Sequence, residues 1–202
     1  MDNVAQSLKA EILKYCPDLS EEEWNSFQPR ISIVSYKKGT TIFPSTEVCK
    51  HILFIKEGIV ASQYQSKEDF VISRFFKSKG LATNIVSLLS DQLDNDRLFA
   101  ITPVQGVLIS KSLFLENYLS AKKIGQYFRK RLLEVIVEDK QFITIKTISK
   151  VPAQLAFLQE HYPEVLLEAP WKYIANFMGV TPAWLSRVLK SDPRKMRNQG
   201  DV

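Results

Sequence analysis

The 202-residue chain is poor in the side chains that bind metals and attack substrates, with only two cysteines and two histidines. No four-cysteine cluster can form within one such chain, and Cys16 and Cys49 have no close spacing with His51 or His161 that would make a zinc site. No metal and no cofactor is expected, and both cysteines read as reduced thiols. The seven glycines form no phosphate-cradling loop, and no arrangement of serine, histidine and acid stands out, so the chain does not read as an enzyme. His51 and His161 each sit among apolar residues, where a structural role is the default expectation. Long apolar runs are missing too. Nothing approaches the ~20 residues of a membrane span, and Met1 to Ala10 holds no apolar signal core. A cytoplasmic protein with no membrane partner is expected.

Hydrophobic residues make up 45% of the chain, enough at this length for one medium core and one small one, hence two domains. Val4 to Tyr15 carries Leu8, Ile12 and Leu13 on one helical side, and Ser20 is placed to cap a second short helix through Glu21, Glu22 and Glu23 to Trp24 and Phe27. The period then changes to two. Ile31, Ile33 and Tyr36 begin a strand region that continues in short runs through 40–43, 51–56, 59–65, 70–77, 97–101 and 107–110, punctuated by Gly39, Gly58, Gly80 and Gly106. Their even spacing suggests a small all-β roll or barrel. Ile85, Val86, Leu88 and Leu89 suggest a brief helix inserted in it.

After Ser110 the pattern is helical again, first over Lys111 to Leu119 and then over Ala121 to Ile148, which contains no proline and only Gly125. Ile124, Phe128, Leu132, Val135, Phe142 and Ile145 form an apolar seam interrupted by Asp139. Such a helix would run ~40 Å at 1.5 Å per residue, more than one small core covers. A second copy of the helix is the natural partner, and packing against its own β-roll is the alternative; both can hold on different faces. Val151-Pro152 then marks a break into a last domain, where Leu155, Leu158 and Tyr162 share a face.

The segment from Trp171 to Lys190 reads as two short amphipathic helices joined at a glycine. Ile174, Phe177 and Met178 line one face of the first, and Leu185, Val188 and Leu189 repeat that spacing in the second. Gly179 closes the first helix in a left-handed conformation, Val180 plugs the angle, Thr181 is the N-cap and Pro182 the first helical residue. Ala183, Trp184, Ser186 and Arg187 are left outside near the start of the second helix, the part of a recognition helix that enters a major groove. From Trp171 onward, Lys172, Arg187, Lys190, Arg194, Lys195 and Arg197 face only Asp192 and Asp201, which places most of the chain's net charge of +5 there. Helical hairpins and solvated basic tails also occur without DNA, but the two together favour double-stranded DNA as partner. The candidate DNA-binding residues are Lys172, Thr181, Pro182, Ala183, Trp184, Ser186, Arg187 and Lys190. Trp184 either packs on the sugar-phosphate backbone or covers the edge of the small domain.

The order of elements resembles the Crp/Fnr family of bacterial transcription regulators over almost the whole chain. Tyr173 to Arg187 looks like that family's "I-A-x-x-x-G-x-T-x-E-x-L-S-R" signature, and His161-Tyr162-Pro163-Glu164 looks like the "H-Y-P-E" segment of one branch. The resemblance implies an α+β fold: a cyclic-nucleotide-binding-like β-roll, or double-stranded β-helix, over residues 1–120, a dimerisation helix and hinge over 121–150, and a winged helix-turn-helix-like domain over 151–202. It also implies a homodimer that reads a palindromic site, with RNA polymerase as a candidate partner. On this reading the six seam residues are the dimer interface.

Departures from the family fall on chemistry. Where cyclic-nucleotide binders carry a Gly-Glu pair and an Arg-Ser or Arg-Thr phosphate clamp, this chain has Asn84-Ile85 and Asn95-Asp96. An aspartate beside a cyclic phosphate repels it, so control by cyclic AMP is not expected. Thr83, Asn84, Asn95, Asp96 and Arg97 are the candidate pocket for an unknown small-molecule effector, with Arg97 expected to pair with a neighbour such as Asp94. A purely structural β-roll with constitutive DNA binding is the other reading. In the reading helix, Pro182 and Ala183 replace the family's frequent arginine and glutamate, so the operator should differ.

Overall fold

The computed structural model describes residues 2–65, 70–148 and 150–191. Two helices come first, α1 (Asp2–Tyr15) and α2 (Glu21–Phe27). The Ser20 hydroxyl accepts the Glu23 N–H at 3.1 Å, and three glutamates occupy the first turn of α2, where the positive end of the helix dipole favours them. Among the described residues eight strands follow: β1 (Ser32–Tyr36), β2 (Thr41–Phe43), β3 (His51–Glu57), β4 (Val60–Gln65), β5 (Phe70–Phe76), β6 (Leu81–Ala82), β7 (Asp96–Ala100) and β8 (Val104–Ser110), with α3 (Ile85–Ser90) between β6 and β7. They form two antiparallel sheets, ordered β1-β8-β3-β6 and β2-β7-β4-β5. The chain passes repeatedly from one sheet to the other, which rolls the two into one unit. Strand β6 is not visible in the pattern because two residues show no period; it pairs Leu81 with Phe54 and Ala82 with Leu53.

Helices α4 (Lys111–Tyr118) and α5 (Lys123–Ile148) come next, then α6 (Val151–His161), α7 (Pro163–Glu168), α8 (Trp171–Phe177) and α9 (Pro182–Ser191). Among the described residues after 150 there is no strand, so the wing of the expected domain has no counterpart there. The start of α5 is held from a distance: the Glu23 carboxylate accepts the Lys123 N–H at 3.2 Å and the Ile124 N–H at 2.7 Å, satisfying donors that the helix itself leaves open. Arg129 donates to the Tyr118 and Ser120 carbonyls at the end of α4. No described helix is long and apolar enough to cross a membrane, and no group of candidate metal ligands occurs among the described residues.

Two apolar cores result. The first joins α1, α2 and α4 to β3 and β8, and takes Ile124, Tyr127 and Phe128 from the first turns of α5. The second is built on the β2-β7-β4-β5 sheet, from Ala61, Ile72, Phe75 and Phe99, and takes Phe142 from α5 with Leu155, Leu158, Ile174, Phe177, Leu185 and Leu189 from the C-terminal helices. It therefore spans the boundary drawn near residue 150.

The seam read as a dimer interface is turned inward. Ile124 and Phe128 are buried in the first core and Phe142 in the second, Val135 is buried beside the small cavity against the roll, Ile145 packs on the second core, and Leu132 is half-buried. The helix follows its apolar spacing onto its own roll, as the alternative allowed. A different stripe is exposed: Leu133 (66%), Ile136 (56%), Val137 (57%) and Ile143 (60%), with Lys140 between. Leu133, Ile136, Lys140 and Ile143 recur at alternating steps of three and four, the period of a two-helix seam.

Gly125 offers a direct check on the α4–α5 junction. A Cβ there would lie 2.0 Å from the Asn117 carbonyl oxygen. In an ordinary helix interior Gly→Ala gains about 1 kcal/mol. At this contact overpacking dominates, and Gly125→Ala should lose about 1–3 kcal/mol in urea unfolding. A gain in stability would show that the two helices are not in contact there.

Candidate nucleic-acid interface

The glycine-joined helix pair forms as its residue types dictate. Helix α8 ends in a Schellman arrangement: Gly179 has φ +68°, its N–H donates to the Asn176 carbonyl at 3.1 Å, and the Val180 N–H reaches the Ala175 carbonyl at 3.0 Å. Thr181 then caps α9, its hydroxyl accepting the Trp184 N–H at 3.2 Å, with Pro182 as first helical residue. Ile174, Phe177 and Leu185 are fully buried, and Met178 and Leu189 nearly so. The opposite side of α9 is open: Thr181, Pro182, Ala183, Ser186 and Arg187 are exposed, and Trp184 remains 38% exposed.

Lys172 is also exposed, at the start of α8, with its ammonium 4.9 Å from the centre of the Tyr173 ring. The Lys190 side chain and the basic residues Arg194, Lys195 and Arg197 lie outside the described residues. So the structure brings Thr181, Pro182, Ala183, Trp184, Ser186 and Arg187 onto one helical end, with Lys172 on the neighbouring helix.

This unit is mounted on the roll. Strand β5 is the last of its sheet, and its outward backbone groups need partners. Asn176 supplies them: its Oδ1 accepts the Ile72 N–H at 2.7 Å and its Nδ2 donates to the Phe70 carbonyl at 2.7 Å. Lys146 of α5 donates to the Ile72 carbonyl, with its ammonium 5.2 Å from the centre of the Phe177 ring. Aromatic contacts complete the joint, Phe75 to Phe177 at 5.3 Å and Phe99 to Tyr173 at 5.5 Å between centroids. Neither Asn176 nor Lys146 stood out in the sequence. Asn176 occupies an unspecified place in the signature, and Lys146 passes for a surface residue of a long helix.

The expected effector pocket is only partly assembled. Thr83, Asn84 and Asp96 line a cavity of about 150 Å³ with Ser62, Arg74, Asp94, Val135 and Asp139. That is below the ~300–1,000 Å³ typical of small-molecule sites. Asn95 is exposed and Arg97 does not reach the cavity. Arg97 bonds Gln63 through Nε and Nη2 at 2.9 and 2.7 Å, rather than Asp94 as the sequence suggested, because the two are cross-strand neighbours on β7 and β4. Asn84 is structural: it caps α3 through the Ser87 N–H at 3.2 Å and donates to the Asp96 carbonyl at 3.2 Å. Asp96 accepts from the Ser62 and Ser73 hydroxyls.

The cation of this cavity is Arg74, which the sequence reading passed over. It is buried and pairs with Asp139 and, at 3.1 Å, with Glu138 of α5. Burial pushes the Asp139 carboxyl above its ordinary range, against the pull of the guanidinium. A signal was present: Asp139 interrupts the seam of α5, and Arg74 interrupts the apolar run of β5. Each charge on a buried face needs the other. The histidines also differ from expectation. Both His51 and His161 are exposed, because each lies at the end of its element, and the His161 ring packs on Phe157 at 4.9 Å.

No family model and no curated protein matches the chain. Solved structures do. A protein classed in the Crp/Fnr family of transcriptional regulators from Eubacterium rectale superposes with a TM-score of 0.64 at 14% identity, over 87% of this chain and 84% of that one. FixK2 from Bradyrhizobium japonicum gives 0.60 at 16%, over 80% and 83%. The c-di-GMP-responsive regulator CLP from Xanthomonas campestris gives 0.61 at 14%, over 83% and 88%. The chain thus has a Crp/Fnr-like fold, with the α+β architecture of roll, long helix and C-terminal helices.

The buried joint has a pH signature. Desolvation lowers the Lys146 ammonium from 10.5 to about 8. Below pH 8 the folded chain carries the cost of that half-buried charge. Between pH 8 and 10.5 the unfolded chain holds a proton the folded chain has released, so the cost is relieved and stability rises with pH. Wild type should therefore gain stability relative to Lys146→Met across that window. Parallel unfolding-versus-pH curves for the two proteins would remove Lys146 from the joint.

Proposed function

We propose that this protein is a homodimeric, sequence-specific DNA-binding transcription regulator and not an enzyme. The observation that carries the reading is the open end of α9. A well-capped helix start presents Ala183, Trp184, Ser186 and Arg187 outward while Leu185 and Leu189 anchor it. Arg187 suits a guanine edge or a phosphate, Ser186 a polar base edge, and Ala183 a thymine methyl. Trp184, partly open, has a face free to lie on the sugar-phosphate backbone. Lys172 supplies a further phosphate contact.

The dimer uses the exposed stripe of α5, Leu133, Ile136, Val137 and Ile143, since four large apolar side chains in one row on a helix mark an interaction face. Pairing two α5 helices along it relates the two α9 helices by a two-fold axis, which suits a palindromic site with half-sites ~34 Å apart.

Cyclic AMP is not the controlling ligand in this reading. The cavity is small, and Asp94, Asp96 and Asp139 stand there against the single cation Arg74, which Glu138 and Asp139 of α5 already engage. A cyclic phosphate would enter an anionic site whose counter-ion is taken.

Selection from a random DNA pool supplies the operator, and Arg187→Ala should then weaken binding to it by about 1–3 kcal/mol with the melting temperature unchanged. Unchanged affinity would remove Arg187 from the interface. Ile136→Asp places a charge in the exposed stripe and should yield monomers by sedimentation and abolish binding to the full palindrome. A dimer that survives this change would place the interface elsewhere.

A further inference from the structure

We propose that Asn176 is a positioning residue for DNA reading: it fixes the reading helix α9 to the edge of the roll, so that the roll sets the separation of the two reading helices in the dimer. The inference rests on the DNA-binding function proposed above and concerns how that site is held.

The carboxamide of Asn176 does what a neighbouring strand would do. One atom accepts from Ile72 N–H, the other donates to Phe70 C=O, and both partners lie on the outward side of the terminal strand β5. Only a planar group with one acceptor and one donor at this reach satisfies both. An aspartate would turn a carboxylate oxygen toward the Phe70 carbonyl. Leucine would leave a backbone donor and an acceptor unpaired. A further outward group, the Ile72 carbonyl, accepts from Lys146, so side chains of α8 and α5 together cover the Phe70–Ile72 stretch of the edge.

Asn176 sits in the last turn of α8, three residues before Gly179 and six before Pro182, so its position is passed rigidly to α9 through the Schellman turn. The shared apolar core could tolerate a small rotation of the head about the sheet normal, because apolar contacts are not directional. Two hydrogen bonds to consecutive outward groups of one strand remove that freedom. The reading face remains exposed with the joint closed, so the mounted form leaves it free to meet DNA.

The test uses Asn176→Asp and Asn176→Ala in the full-length protein, with a series of selected palindromes whose half-sites are moved apart or together by single base pairs. Wild type should prefer one spacing by about ten-fold or more; both variants should lose about ten-fold at that spacing and discriminate the others poorly. Amide exchange at Ile72 should accelerate in both variants while the melting transition remains cooperative. If exchange accelerates but the spacing preference is unchanged, Asn176 only closes the sheet edge and the positioning role is overturned. If Ile72 exchange is unchanged in Asn176→Ala, the joint itself is wrong. If wild type enriches no sequence from the pool, the DNA-binding function fails first, a result distinct from both.

Discussion

The outer face of the β2-β7-β4-β5 sheet must be covered, and the rest of the molecule is arranged to cover it. Ala61, Ile72, Phe75 and Phe99 are each at most 4% exposed, and the cover is Phe142 of α5 with the apolar faces of α6, α8 and α9. Burying a large apolar side chain contributes about 1.5–3 kcal/mol. Separating the two sides would expose several on each, a cost on the order of 10 kcal/mol as an upper bound. That is comparable with the ~5–15 kcal/mol that holds a whole domain folded. The C-terminal helices are thus not a lobe on a tether. The helix pair and the roll share one core, and the conformation of one constrains the other.

Helix α5 distributes that constraint. Its first turns belong to the first core, where Glu23 caps it and Gly125 lets α4 approach. Its later turns belong to the second, through Phe142 and Lys146. Between them, Glu138 and Asp139 tie it to Arg74. A buried guanidinium without its carboxylates would be costly, so this ionic contact specifies one register of helix against roll.

Much of this was legible. The alternation of apolar residues located nearly all the strands, and Gly179, Thr181 and Pro182 fixed the α8–α9 turn almost to the residue, because turn and cap chemistry is local. The inward seam of α5 was legible as a seam but not as to what it faces. Spacing reports which residues share a face, and only the three-dimensional path of the chain decides whether the facing surface is another copy or the same molecule. Asn176 and Lys146 were missed for a related reason: their partners are backbone groups of β5, which carry no residue identity. Arg74 and Asp139 were legible one at a time, as interruptions of apolar patterns, but their pairing was not.

The shared core is tested most directly by equilibrium unfolding followed separately in its two parts. The three tryptophans suit this, Trp24 reporting on the first core and Trp171 and Trp184 on the helix pair. With single-tryptophan variants in urea, one common midpoint and slope is the predicted result. A helix pair that melts at lower denaturant than the roll would contradict the account, because its core would then be its own.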